Sequence, residues 1–301
     1  MFRSTKFLYA LLLLVPALLF TACESDTETP GAGHLRLHIT DAPLDAENIT
    51  GVYITFSEIH YKGHDENWHR FDEFDGPVTI NLLDLTRGET DILGFFELEA
   101  GTYSQLRFIL LATERGQGPP SNPQTYLEFE DGTTTPLFVP SGEQTGYKAI
   151  GHFSVPANGH TEVTADFDIR RSVVRAGASG LYLLKPTIRL IVNEEAGRIT
   201  GEVTSVPENT GIVVYAYESG TYTEEEAAEP EAEQSRFPGA VNTDMVDEEG
   251  IYHIDFLAPG SYDLVVASTL DGEFEEVLGI VEGVTVESGQ TTVRDIDLEE
   301  L

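Results

Sequence analysis

Two stretches of the chain hold side chains whose types and spacing could do chemistry. The first is "DFD" at 166–168. In an extended strand Asp166 and Asp168 share one face, and Val163, Ala165, Phe167 and Ile169 share the other. In "LLKPTIRL" (183–190) the same alternation sets Lys185 and Arg189 opposite Leu184, Pro186, Ile188 and Leu190. If the two strands pair, acids meet bases, with Arg107 as a further member. That group could hold a polar ligand. It could equally be a cross-strand ion-pair ladder, each pair contributing about 0.2–1 kcal/mol.

The second stretch is "HYKGHDENWH" (60–69), which reads as a hairpin tip. His60, His64 and His69 could meet Asp65 on a metal. The stretch has neither a His-x-His nor an HExxH order, so no metal and no other cofactor is expected. Tyr61, Trp68 and His69 are the stronger candidates for binding, because aromatic faces stack on sugar rings. Packing of Trp68, the single tryptophan, in the core is the competing expectation. The loop "RGQGPPSNPQ" (115–124) is a second candidate surface. No GxSxG, Walker or GxGxxG pattern occurs, and "DEEG" (247–250) lacks the alternating acids of a calcium loop. No catalytic residue is assigned. Carboxylates are plentiful, so a hydrolase acting on a polysaccharide or peptide stands as the alternative.

The elements that would position these residues are strands. Alternation recurs in "LRLHIT" (35–40), "GVYITFSEIHY" (51–61), "TYLEFE" (125–130), "IYHIDF" (251–256) and "YDLVVAS" (262–268). Turn signals such as "EDG", "ANG" and "LDG" separate them. The pattern predicts an all-β protein of two tandem β-sandwich domains, of transthyretin-like or Greek-key type, over 34–193 and 197–301. A helical turn is expected near "NLLDLTRG" (81–88). The acidic insert "TEEEAAEPEAEQSRFPG" (223–239) is expected as an exposed loop, with a short helix as the alternative. "TDAP" (40–43) suits a turn capped by Asp41. The halves echo each other. "LEAGTYSQLRFIL" (98–110) parallels "LAPGSYDLVVAS" (257–268), and "GHTEVTADFDI" (159–169) parallels "GQTTVRDIDL" (289–298). Either a duplication or convergent turn chemistry produces such an echo.

The N-terminus decides the compartment. Arg3 and Lys6 precede the apolar run "FLYALLLLVPALLF", and small residues lead to Cys23. This is the order of an export signal over 1–22, with an uncleaved anchor helix as the competing reading. "FTAC" resembles a bacterial lipobox, although the usual leucine is Phe20. Cys23 is the only cysteine, so an internal disulfide is excluded and lipid attachment explains its place. Residues 23–33 read as an acidic tether. This expects a lipid-anchored protein of a bacterial outer membrane, on its periplasmic or cell-surface face. The acidic residues after Cys23 resemble the surface-export tag of Bacteroidota lipoproteins.

The chain carries 52 acidic and 17 basic residues, a formal charge of −35. With no basic run, nucleic acid and anionic headgroups are poor partners. The acids are spread along the chain, which suits adaptation to high salt; binding of cations is the other reading.

The motifs "HITDAPLD" (38–45), "VTINLLDLTRG" (78–88), "LEAGTYSQLRFIL", "VPSGEQTGYKAIGHFSV" (139–155) and "DFDIRRSVVRAGASGLYLLKPTIRLI" (166–191) resemble, in order, a bacterial and archaeal domain-of-unknown-function family, number 4382, over about 33–192. That resemblance implies secretion and a fold, and no reaction. Residues 197–299 resemble carboxypeptidase regulatory-like domains, through "GRITGEV", "VVYAY", "TDMVDEEGIYHIDFLAPGSYDLVVA" and "VTVESGQTTVRDIDL". This second resemblance implies a transthyretin-like scaffold or adhesion module, in a fold related to carbohydrate binders. Together they imply a non-catalytic envelope module whose partner is a glycan or a cell-surface protein.

Overall fold

A computed structural model describes residues 31–41, 48–114, 124–139, 146–177 and 180–301. The signal, Cys23, most of the tether and residues 115–123 of the candidate loop lie outside the described residues.

Alternating apolar residues build strands throughout, and the protein is all-β. The first half opens with β1 (Ala32–Thr40), β2 (Ile49–Lys62), β3 (Trp68–Arg70), β4 (Val78–Asn81), β5 (Asp91–Glu99), β6 (Gly101–Leu110) and β7 (Thr113–Glu114). It continues with β8 (Tyr126–Phe129), β9 (Thr134–Val139), β10 (Tyr147–Val155), β11 (His160–Phe167), the helical turn α1 (Ile169–Ser172), β12 (Val173–Arg175), β13 (Tyr182–Leu184) and β14 (Ile188–Val192). These strands form one 14-stranded hydrogen-bonded network, ordered β12-β13-β9-β8-β2-β6-β10-β14-β11-β1-β5. Phe56 of β2 and Phe167 of β11 lie four positions apart on that path, about 19 Å in a flat sheet. Their ring centroids are 6.3 Å apart, so the sheet folds over on itself around one core. Phe71 likewise stacks on Phe96 of the terminal strand β5 at 4.1 Å. The expected helical turn near 81–88 is a 3-10 turn at Leu82–Leu85.

The second half contains β15 (Gly197–Thr204), β16 (Gly211–Glu218), β17 (Asn242–Met245), β18 (Ile251–Leu257), β19 (Gly260–Leu270), β20 (Glu273–Val286), β21 (Thr291–Val293) and β22 (Ile296–Asp297). One sheet runs β18-β15-β21, with β22 also on β15; the other runs β17-β16-β19-β20. Ile199, Tyr252 and Ile254 of the first meet Val214, Leu264 and Val266 of the second. The β19–β20 hairpin turns on Asp271 and Gly272, both at positive φ, as "LDG" requires.

The acidic insert departs from its expectation. Its glutamates are mostly exposed and it contains a 3-10 turn at Glu224–Ala227, but Phe237 is fully buried. Phe237 and Ala240 cover Val213, Tyr215, Tyr217, Val265 and Ala267 on the outer face of the β16/β19 sheet. Those two strands are therefore buried on both faces. The many charges of the insert hid one anchoring ring.

The sequence echo has a spatial counterpart. Tyr103 Oη donates to Glu99 O at 2.8 Å, and Tyr262 Oη donates to Ala258 O at 2.7 Å, each four residues upstream. β1 pairs with β11 in parallel, and β15 pairs with β21 in parallel. The glycines near the two strand starts face equivalent atoms. A Cβ on Gly33 would lie 2.3 Å from Pro156 O and 2.6 Å from the Val155 side chain; on Gly197 it would lie 2.5 Å from both Glu287 O and the Val286 side chain. Only glycine permits that approach.

Candidate functional site

The predicted acid–base group divides once its elements are in place. Asp166 faces Arg189 across β11 and β14, and Arg189 Nε donates to its Oδ2 at 2.6 Å. Asp168 lies beyond the end of β11. It caps α1, accepting from Arg171 N at 3.1 Å, and receives Arg170 Nη2 at 3.3 Å. Lys185 does not share Arg189's strand, because Lys185, Pro186 and Thr187 form the link between β13 and β14. The ammonium of Lys185 instead donates to Glu233 O at 3.2 Å and to Glu233 Oε2 at 2.9 Å, in the acidic insert. Arg107 is separated from Arg189 by β10 and stacks on Trp68 at 3.9 Å. Of the five residues, the structure places Asp166, Asp168 and Arg189 near one another, and disperses Lys185 and Arg107.

Arg170 was not singled out in the sequence, yet it is the centre of the junction between the halves. It is 8% exposed, and its Nη1 donates to Arg236 O at 3.0 Å and Phe237 O at 2.8 Å. Its guanidinium lies 5.7 Å from the Tyr215 ring. Asp41 adds a further long-range cap, its Oδ1 accepting from Ile169 N at 2.9 Å. This cap reaches 128 residues along the chain; the local turn expected of Asp41 falls on residues 42–47, which lie outside the described residues. A second lock lies at the "TRG" turn. Arg87 donates to Asp244 Oδ1 at 3.4 Å, Asp247 Oδ2 at 2.9 Å and Met245 O at 2.7 Å. Gly88, at φ +82, comes so close to Asp255 that a Cβ would lie 2.9 Å from its carboxyl carbon.

Electrostatics at this junction follow burial. Loss of hydration pushes Asp244 up to about 6, against its hydrogen bonds from His253 N and Arg87. The same cause raises Asp166 and Asp255, opposed by Arg189 and Arg198 respectively.

At the hairpin tip, Trp68 is partly buried with Arg107 over one face. Tyr61 is stacked on His69 at 5.3 Å and tilted on Phe71 at 4.8 Å. His69 Nε2 lies 2.9 Å from Asp65 Oδ1. His64 packs on Tyr103, at 5.0 Å, rather than on the other histidines. Among the described residues no group of three or more His, Cys, Asp or Glu is placed to hold a metal. The geometry makes Trp68 neither a core residue nor a free platform. Its emission should fall between exposed and buried values, with partial acrylamide quenching. Arg107→Ala should raise the quenching by uncovering one ring face. Blue-shifted emission resistant to quencher, unchanged by Arg107→Ala, would remove Trp68 from the candidate ligand surfaces.

These features define an all-β protein of tandem sandwiches clamped by polar contacts. The chain belongs to the family described as a domain of unknown function (DUF4382), which matches residues 32–186. Comparison with curated proteins gives no match. Among solved structures, the chain is similar to the minor pilin GBS52 of Streptococcus agalactiae, with 14% identity over 87% of this chain and 94% of that one and a TM-score of 0.23. It is similar to the shaft pilin spaA of Lactobacillus rhamnosus GG, with 11% identity over 88% and 96% and a TM-score of 0.22. The TIE protein of Bacillus anthracis gives 14% identity and a TM-score of 0.20 over 88% of this chain; the chain spans about a third of that protein, 34% of its length. Likeness at this level carries no activity to this chain.

Proposed function

We propose that the protein is a lipid-anchored, non-catalytic binding module of the bacterial cell envelope, held at the outer membrane through acylated Cys23. Its second half is read as a carboxypeptidase regulatory-like sandwich, its partner as a glycan or cell-surface protein, and its lineage as Bacteroidota-type lipoproteins. The observation that carries this reading is the use of buried charge. Asp166, Asp168, Arg170 and Asp244 are each engaged by a partner within a strand pair, a cap or the junction between halves. A hydrolase would hold such carboxylates toward an open cleft instead. The clamped halves make one platform behind an acidic tether sequence, an arrangement suited to presenting a surface. Acyl chains contribute about 0.8 kcal/mol per buried methylene, enough for several chains to retain a soluble domain on a membrane.

Fractionation tests the anchor. The wild-type protein should require detergent for release, and Cys23→Ser should appear in the soluble fraction. A Cys23→Ser variant that stays in the membrane at the wild-type level would remove the lipid anchor. The same soluble variant tests the class. On a glycan array it should be retained, and incubation with those polysaccharides or with peptides should release no new reducing ends or amines. Steady product release would favour the hydrolase.

A further inference from the structure

A cleft of about 570 Å³ lies where the two halves meet, a volume in the range of small-ligand sites. Three of the chain's thirteen arginines line it: Arg170, Arg175 and Arg236. In so acidic a protein that is a local concentration of guanidinium groups. Two of the three are held in place. Arg170 is fixed by two carbonyls and Asp168, and its buried Nε has no acceptor. Arg236 lies 4.2 Å over the Phe274 ring, donating to Ala227 O and, at 2.9 Å, to Glu229 Oε2. Arg175 is exposed, and its side chain makes no hydrogen bond or ion pair among the described residues. Aromatic rings complete the walls, with Phe129 and Tyr182 at 6.0 Å from each other.

From this juxtaposition we infer that the cleft binds a sugar ring carrying one anionic substituent, a carboxylate or a sulfate. The inference rests on the reading of the chain as a binding module and names its ligand class. Arginine forks match the planar carboxylate and the sulfate oxygens, and the aromatic walls offer flat faces to the ring. Glu229 and Glu273 also line the cleft. They accept hydrogen bonds from ring hydroxyls and repel polyanions, which narrows the ligand to a hydroxyl-rich molecule with isolated charge.

The test titrates the full-length protein, in a detergent without a sugar headgroup, with four probes: glucuronic acid, glucose 6-sulfate, glucose and inorganic sulfate. Saturation-transfer NMR and calorimetry report binding. One or both charged sugars should bind, which tells carboxylate from sulfate, and glucose and free sulfate should bind more weakly. Losing one charge-assisted contact should weaken binding about tenfold to a hundredfold, so Arg175→Glu should show at least that loss with an unchanged thermal melt. Glucose binding as tightly as the charged sugars would overturn the anionic specificity. No binding of either charged sugar would overturn the inference. Undiminished binding by Arg175→Glu would place the site elsewhere while leaving the binding-module reading intact. Soluble wild-type protein or product release in the preceding experiments would strike that reading without moving the cleft result.

Discussion

Replacing Arg170 by methionine should destabilise the protein by about 3–5 kcal/mol, the range for breaking a buried ion pair from one side. The substitution leaves the Asp168 carboxylate buried without its closest cation, takes the Arg170 donor from Arg236 O, and leaves Phe237 O with Ala240 N alone. Asp168→Asn added to Arg170→Met should recover part of the loss, because asparagine still caps the Arg171 amide and carries no charge. Denaturant unfolding, followed by probes in both halves, checks this. The wild type should unfold in one transition, and Arg170→Met in two, as the junction ceases to couple the halves. A loss under about 1 kcal/mol, in the range of an exposed pair, would show that the junction does not depend on this guanidinium.

Stability should rise, rather than fall, as the pH is lowered from 7 toward 5. Asp244 titrates near 6 in the folded protein, against an ordinary value of 3.8. Between those values the native state holds a proton that the unfolded chain has released. The unfolded chain binds fewer protons there, so stability declines as pH climbs through the window. The full contribution is present below the unfolded value and gone above the folded one. For Asp244 alone the difference is about 3 kcal/mol. Burial moves Asp166 and Asp255 in the same direction. Lower pH also relieves the repulsion of a chain with formal charge −35. Thermal melts across pH should peak on the acid side of neutrality, and Asp244→Asn should flatten the slope between about pH 4 and 6. A stability maximum above pH 7, or an Asp244→Asn slope equal to wild type, would refute this assignment.

Much of the architecture could be read from residue order. Alternation and the turn residues gave the strands, and the paired "AGTY" and "PGSY" stretches pointed to Tyr103 and Tyr262, whose hydroxyls both reach a carbonyl four residues back. Side-chain partners were less legible, because a period of two assumes an unbroken strand. Pro186 sits in the break between β13 and β14 and turns Lys185 away from Arg189. Asp168 sits one residue past β11, where it becomes a cap. Arg170 carried no signal at all. Besides Asp168, its partners are backbone carbonyls 66 and 67 residues distant, and main-chain oxygens leave no mark on composition. Phe237 was similarly hidden, a single ring at the end of an acidic run whose value comes from the sheet it covers.

The position of β1 has a mechanical consequence. This strand is the first described element after the tail, and it lies between β11, parallel, and β5, antiparallel, with seven and eight residue pairs respectively. A pull on the tail therefore acts along β1 and loads the rungs on both flanks together. The strand must shear past two neighbours at once instead of peeling from one, pair by pair. Resistance to tension is thus concentrated at the point where a tethered surface protein would feel drag.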